Sequence, residues 1–188
     1  MKIESNPLNA FSEDFAQFDV IGFHATSSLA CTQIESAGFL PSKIFLPEEH
    51  EQILSIGGSL GVNLFSYKEW LDMRSITFTQ DFNTARSHIL QGNSGGQGLF
   101  NVVNVLQEIR KIGDSQQVSI ASNFLSKVDE LRSSSCVIYA VDLSRLGQRL
   151  VRDKNQPGLY QVYFDPQAPL PKVSVVDPHC IIARLDLV

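Results

Sequence analysis

Hydrophobic positions recur along this chain with two different periods, and the points where the period changes mark its elements. Val20-Ile21-Gly22-Phe23 is a short apolar run ending at His24, which predicts a strand. Thr26, Ser27 and Ser28 follow, each able to cap a helix from Leu29 to Ser36. Leu29, Ile34 and Ala37 give that helix an apolar side, and Gly38 supplies its stop. Pro47-Glu48-Glu49-His50 reads as a helix start, with proline in the first turn and carboxylates at the positive end of the helix dipole. Gln52 to Ile56 continue it into Gly57-Gly58, and a short helix follows over Ser66 to Met73 with Phe65, Trp70 and Leu71 to bury. Ser75 to Thr79 is β-rich, and Asp81 is a good cap for a helix over Phe82 to Leu90. Val102, Leu106, Ile109 and Ile112 then fall on one helical stripe, as do Ile120, Phe124, Val128 and Leu131.

From Cys136 onward the period shortens. Cys136 to Val141, Leu159 to Phe164, Val173 to Val176 and Cys180 to Leu187 are strand-like. Turns at Asn155-Gln156-Pro157-Gly158, Asp165-Pro166 and Asp177-Pro178 separate them. Helices in the middle and strands at both ends predict an α+β fold in which one sheet joins early and late strands. The helices after Asn101 are expected to cover one side of it. Residues 1–18 read as a polar N-terminal arm and residues 19–188 as a single domain, long enough to bury a core.

Composition narrows the classes. A hydrophobic fraction of 43% places the chain among globular proteins and away from disordered ones. A net charge of -5 without a dense Lys or Arg run argues against an electrostatic grip on duplex nucleic acid, although a local basic pocket could hold a phosphate. No apolar run approaches transmembrane length, so no membrane partner is expected. The opening MKIESNPLNAFSEDF lacks the apolar centre of a secretory signal. The expected setting is the cytoplasm, or that of an effector exported without a cleaved signal peptide. Cys31, Cys136 and Cys180 are too widely spaced for a disulfide framework or a zinc knuckle.

The candidate chemistry starts at His24, where a strand delivers an imidazole and hydroxyls to the threshold of a helix with unpaired backbone N–H groups. The plain alternative is a structural histidine paired with a backbone carbonyl. Asp165, Asp177 and His179 are close in sequence, but Asp-Pro pairs are turn formers, and His50 with Glu48 or Glu49 lacks HExxH spacing, so no metal site is predicted. Cys31 follows His24 closely, yet it falls in an apolar-sided helix with no third orienting group specified. Gly92 to Gly98 lacks the Lys-Ser/Thr of a P-loop and follows a helix, which makes it a flexible connector and a rim for a cleft.

These features resemble the ADP-ribosyltransferase superfamily, in particular its poly-ADP-ribose-polymerase and diphtheria-toxin-like branch. The family's opening strand, ending in His-Gly-Ser/Thr and followed by a helix and a Gly-Leu or Gly-Phe step, has its counterpart in Phe23-His24-Ala25-Thr26, the helix from Leu29, and Gly38-Phe39. Its second strand and capped helix correspond to Ile76-Thr77-Phe78-Thr79 and Asp81 to His88, and its late strand to Lys172 through Asp177. The likeness runs loosely from Val20 to Leu185. It implies an ADP-ribosyltransferase-like mixed or antiparallel split sheet with flanking helices, NAD as cofactor, and cleavage of the nicotinamide–ribose bond. ADP-ribose would then pass to a protein or nucleic-acid acceptor. By that resemblance His24 binds a ribose hydroxyl, the Ala25 backbone pairs with the nicotinamide amide, and Thr26 supports it. Thr77 stands where the family has its aromatic nicotinamide platform, and Lys172 where it has its catalytic glutamate. Gln161, in the preceding strand, is the alternative at the second position. The expected site is therefore a catalytic set of His24, Gln161 and Lys172, with NAD held by His24, Ala25, Thr26 and Thr77. His24, Thr77 and either Gln161 or Lys172 should converge on one cleft. Two other readings stay open. One is a non-catalytic binding or partner-recognition module; the other is an RNA-end enzyme using Lys172, Arg149 and Arg152 as basic groups.

Overall fold

β2 (Ile21–Ser27) takes the middle place in a seven-stranded sheet of order β1-β7-β4-β2-β3-β6-β5. The computed structural model describes residues 2–4, 19–39, 45–72, 75–90, 96–152, 158–163 and 176–187. β4 (Cys136–Asp142) pairs antiparallel with β2 along its whole length, from Ile21↔Asp142 to Ser27↔Cys136. β7 (Ile181–Leu187) pairs antiparallel with β4, and β1 (Lys2–Glu4) runs parallel to β7 at the edge. On the other side of β2 come β3 (Ser75–Thr79), β6 (Leu159–Tyr163) and β5 (Leu150–Arg152), all antiparallel. The fold is thus a mixed α+β arrangement with an antiparallel multi-strand sheet flanked by helices. The segment read as a free arm contributes an edge strand through Lys2–Glu4.

The sheet belongs to the first of two compact units, made of Met1–Pro41, Arg74–Ser94 and Ser134–Val188. On one face Phe39, Phe78, Tyr139, Val141, Val162 and Val176 form its core, together with Ile34 of α1 (Cys31–Ala37). On the other face the Phe23 ring meets the edge of Phe82 in α4 (Phe82–Leu90) at 6.0 Å. Among the described residues of this unit, α1 and α4 thus flank the sheet, one on each face. Gly22 is required by close packing: a Cβ there would lie 2.4 Å from Leu143 Cδ1 and 2.8 Å from Phe78 Cβ.

The second unit, Ser42–Met73 with Gly95–Ser133, holds α2 (Pro47–Ser59), α3 (Phe65–Asp72), α5 (Gly96–Ile112) and α6 (Ser115–Ser133). Here the helical stripes find a different use from the expected one. Val102, Leu106 and Ile109 of α5 and Phe124 and Val128 of α6 share a core with Ile53 of α2 and Tyr67 of α3. Apolar sides assigned to a sheet are spent on other helices. At the centre, His50 Nδ1 lies 2.5 Å from the Tyr67 hydroxyl, between the rings of Phe45 and Trp70.

Several boundaries differ from the sequence reading, each for a local reason. α2 carries through Gly57-Gly58, as read, and ends one residue later at Ser59; the bare Gly57 lets Leu64 approach, where a Cβ would meet Leu64 Cδ2 at 2.9 Å. α5 begins at Gly96, inside the stretch read as a connector, and Gly98 in its first turn lies against the Trp70 indole, where any Cβ would collide at 1.9 Å. Residues 91–95 of that stretch lie outside the described residues. α6 starts at Ser115, and Asp114 and Gln117 cap each other reciprocally, with two bonds of 2.9 Å. The strand expected over Val173 to Val176 is described only at Val176, which bridges Phe39. Among the described residues, β7 is the C-terminal strand of the sheet that holds β2.

Candidate functional site

The ladder between β2 and β3 has a single register pair, Phe23↔Thr79. Past that pair the link between the strands is made by a side chain: His24 Nδ1 lies 2.9 Å from the Thr77 carbonyl oxygen. A carbonyl can only accept, so Nδ1 carries the hydrogen and donates it. In the neutral ring, Nε2 is then the lone-pair acceptor. Burial lowers the His24 pKa below its ordinary value, opposed by the Thr77 hydrogen bond, which favours the charged ring. The half-buried ring packs on Phe39 at 5.2 Å and on Phe78 at 5.4 Å. It therefore combines a fixed donor, a fixed acceptor and an apolar surround. Ala25, the next residue of β2, has a registered partner in β4 but none in β3.

His24 sits within its strand and not at the end of it, because β2 continues to Ser27. Ser27 is the working cap among the three candidates: its Oγ accepts from Leu29 N at 3.1 Å and lies 2.6 Å from Ser134 Oγ. A 3-10 turn, Ser28–Ala30, separates that cap from α1, and Gly38 with φ 80° ends α1 as expected. Consequently His24 is set among strand backbone, between β2 and the Thr77 carbonyl of β3, and not at the N-terminus of a helix.

The other expected site residues are placed by strand alternation. Phe78 shares the His24 face, and Tyr160 of β6 is its register partner. Thr77 and its partner Gln161 thus point to the opposite face. Thr77 is exposed and Gln161 half-buried. The structure brings Thr77 and Gln161 together, and it joins His24 to Thr77 through the latter's carbonyl. It does not bring the three side chains onto one face. Thr26 lies in β2 opposite Val137. Lys172 lies outside the described residues. Arg149 ends the 3-10 turn Ser144–Arg149, its side chain likewise undescribed, and Arg152 lies over the Tyr160 ring with its Cζ 5.7 Å from the centroid. Asp177 behaves as the turn former it was read to be, accepting from His179 N at 2.8 Å.

Residues that sequence reasoning passed over surround His24. Tyr139 is its register partner on β4, and the Tyr139 ring meets Phe39 edge-on at 5.6 Å. The Tyr139 hydroxyl donates to Glu35 Oε1 at 3.1 Å, and Arg184 Nη1 donates to the same oxygen at 2.6 Å. Arg184 also donates from Nη2 to Asp186 Oδ2 at 2.8 Å. Burial first, then the Cys31 thiol and the Glu35 carboxylate, push the Tyr139 hydroxyl far above the usual phenol range, so it stays a donor to Glu35. Tyr139 was visible in the sequence only as a strand aromatic. Nothing in the sequence links Glu35 to Arg184, since no periodicity spans the separation.

Among the described residues, no group of three or more His, Cys, Asp or Glu is arranged to hold a metal ion, and no helix is long and apolar enough to cross a membrane. Compared with known proteins, the chain matches no family model, no curated sequence and no solved structure.

Proposed function

We propose that this chain is an ADP-ribosyltransferase-like domain that holds NAD, or a nucleotide resembling it, at His24, between β2 and β3. The observation that carries the reading is the His24 ring itself. Tied through Nδ1 to the Thr77 carbonyl at 2.9 Å, it presents Nε2 as an acceptor for a hydroxyl hydrogen. A ribose supplies such a hydroxyl, and the unregistered edge of Ala25 supplies backbone groups of the kind that pair with a carboxamide. In this reading the domain breaks the nicotinamide–ribose bond and passes ADP-ribose to a protein or nucleic-acid acceptor.

A second reading, a binding module without turnover, is favoured by a separate observation. Thr77 and Gln161 lie on the face opposite His24, and the carboxylate on His24's own face, Glu35, is already neutralised by Arg184. A glutamine amide lacks the negative charge that stabilises an oxocarbenium-like centre, and an ion-paired glutamate has little left to offer. Incubating the intact chain with NAD separates the two. Steady nicotinamide release, with labelling of an acceptor and loss of both in His24→Ala, is the result expected of a transferase. Binding without release over many acceptors assigns the module, and no binding at all removes both readings.

A further inference from the structure

The ring of His24 is held from one side by a chain of contacts that begins well away from it, on α1 and β7. We propose that Glu35 is a positioning residue for His24, acting through Tyr139 and Phe39. The inference rests on the reading of His24 as the ligand-facing group.

The contacts are continuous. Glu35 Oε1 receives two donors, Arg184 Nη1 at 2.6 Å from β7 and the Tyr139 hydroxyl at 3.1 Å from β4. These side chains are only partly exposed, 18% for Arg184 and 30% for Glu35, so the pair is shielded from water and held by more than charge. Glu35 lies in the last turn of α1, and Gly38, which ends that helix, leads directly into Phe39. Phe39 is seated edge-on against His24, Phe78 and Tyr139 at 5.2, 5.3 and 5.6 Å. Its own backbone is pinned, with Phe39 N donating to Val176 O at 2.9 Å. The Gly38 carbonyl before it accepts from Gln33 Nε2 at 2.8 Å. The two routes from Glu35, through the end of α1 and through the Tyr139 ring, meet at Phe39, which with Phe78 walls in the imidazole.

Without the Glu35 charge, Arg184 keeps only Asp186 as its described anionic partner, and the amide oxygen of a glutamine there is a weaker acceptor for the buried Tyr139 hydroxyl. Both groups then seek water. Because cores rearrange between discrete packings and do not deform smoothly, a shift of α1 should move Phe39 off His24 and hydrate the ring. The titratable groups facing this part of the core are Glu35 and Cys31 from α1, Tyr139 from β4, Tyr160 from β6, and Arg184 and Asp186 from β7.

The test is nitrogen-15 NMR of the imidazoles of the intact chain, in wild type, Glu35→Gln and Tyr139→Phe, followed through a pH titration. Glu35→Gln keeps the side-chain volume; Tyr139→Phe keeps the ring and removes only the hydroxyl. In the wild type, His24 should show a protonated Nδ1 and titrate below the ordinary histidine value of 6.5. In both variants its titration should move up toward 6.5 and the single tautomer should give way to a mixture, more so in Glu35→Gln. A wild type that binds NAD should lose about tenfold in affinity in Glu35→Gln. A purely structural Glu35 would lower the melting temperature while leaving the His24 signals of the folded protein where they were, and that result overturns the proposal. If Glu35→Gln does not fold, Tyr139→Phe decides by the same signals. The NMR readout needs no nucleotide, so a wild type that fails to bind NAD removes the functional reading without touching this measurement.

Discussion

At the scale of single residues, the decisive feature is that His24 donates to a backbone carbonyl and yet is not thereby used up. The plain alternative, a histidine satisfied by main chain, describes one of its nitrogens; the other is left as the acceptor. Its protonation has a consequence for stability. His24 is depressed below 6.5 chiefly by burial. Between 6.5 and that lower value the folded protein therefore binds fewer protons at this site than the unfolded chain does. Its contribution is complete above 6.5 and is lost as pH falls through that interval. Wild type should thus lose more thermal stability on acidification from neutrality than His24→Gln, a neutral side chain at every pH. Scanning calorimetry at a series of pH values checks this, and parallel losses in the two proteins would refute it. Gly22 gives a second prediction at the same scale. The clash of an added Cβ with Leu143 and Phe78 makes Gly22→Ala an overpacking change in a core with no slack. It should destabilise by about 1–3 kcal/mol in urea unfolding.

At the scale of elements, α4 offers the cleanest test of a local rule. Asp81 accepts from Thr84 N at 2.8 Å and from Thr84 Oγ1 at 2.9 Å, and these bonds, the side-chain one foremost, lower its carboxyl pKa. Asp81→Ala should cost about 1 kcal/mol, measured by denaturant unfolding near neutral pH, and the difference should shrink as acid protonates the wild-type carboxylate. Asp81 was legible in the sequence because a cap depends on residues three apart. So were the core of β2, the β-rich Ser75–Thr79 and the stop at Gly38. What escaped depends on distant partners. The continuation of β2 past His24 is set by β4, which pairs with it as far as Ser27. The need for a bare Gly98 in α5 comes from Trp70, and β5 exists because Leu150–Arg152 finds β6. A polar run such as Ala25-Thr26-Ser27 reads as a cap until its strand neighbour is known.

At the scale of the whole molecule, the chain divides its apolar residues between two cores, one under the sheet around Phe39, Phe78 and Tyr139, the other among the helices around Ile53, Leu106 and Val128. Local periodicity identified the helical stripes without saying what they would meet, which is why α5 and α6 were assigned to the sheet. Leu106 is 1% exposed, so Leu106→Ala should cost about 2–5 kcal/mol. Amide exchange should show the loss first in α2, α3, α5 and α6; equal loss across β2, β4 and β7 would mean the two cores melt as one. The functional account depends on the sheet unit, where the short β2–β3 register and the tethered imidazole coincide. The most direct measurement is therefore a calorimetric titration of the intact chain with NAD, in wild type and in His24→Ala, beside a thermal scan of each. Binding by the wild type, weakened by roughly 1–3 kcal/mol in a variant whose melting temperature falls little, is the predicted result. Equal affinities in the two proteins, or a wild type that takes up no NAD, would contradict it.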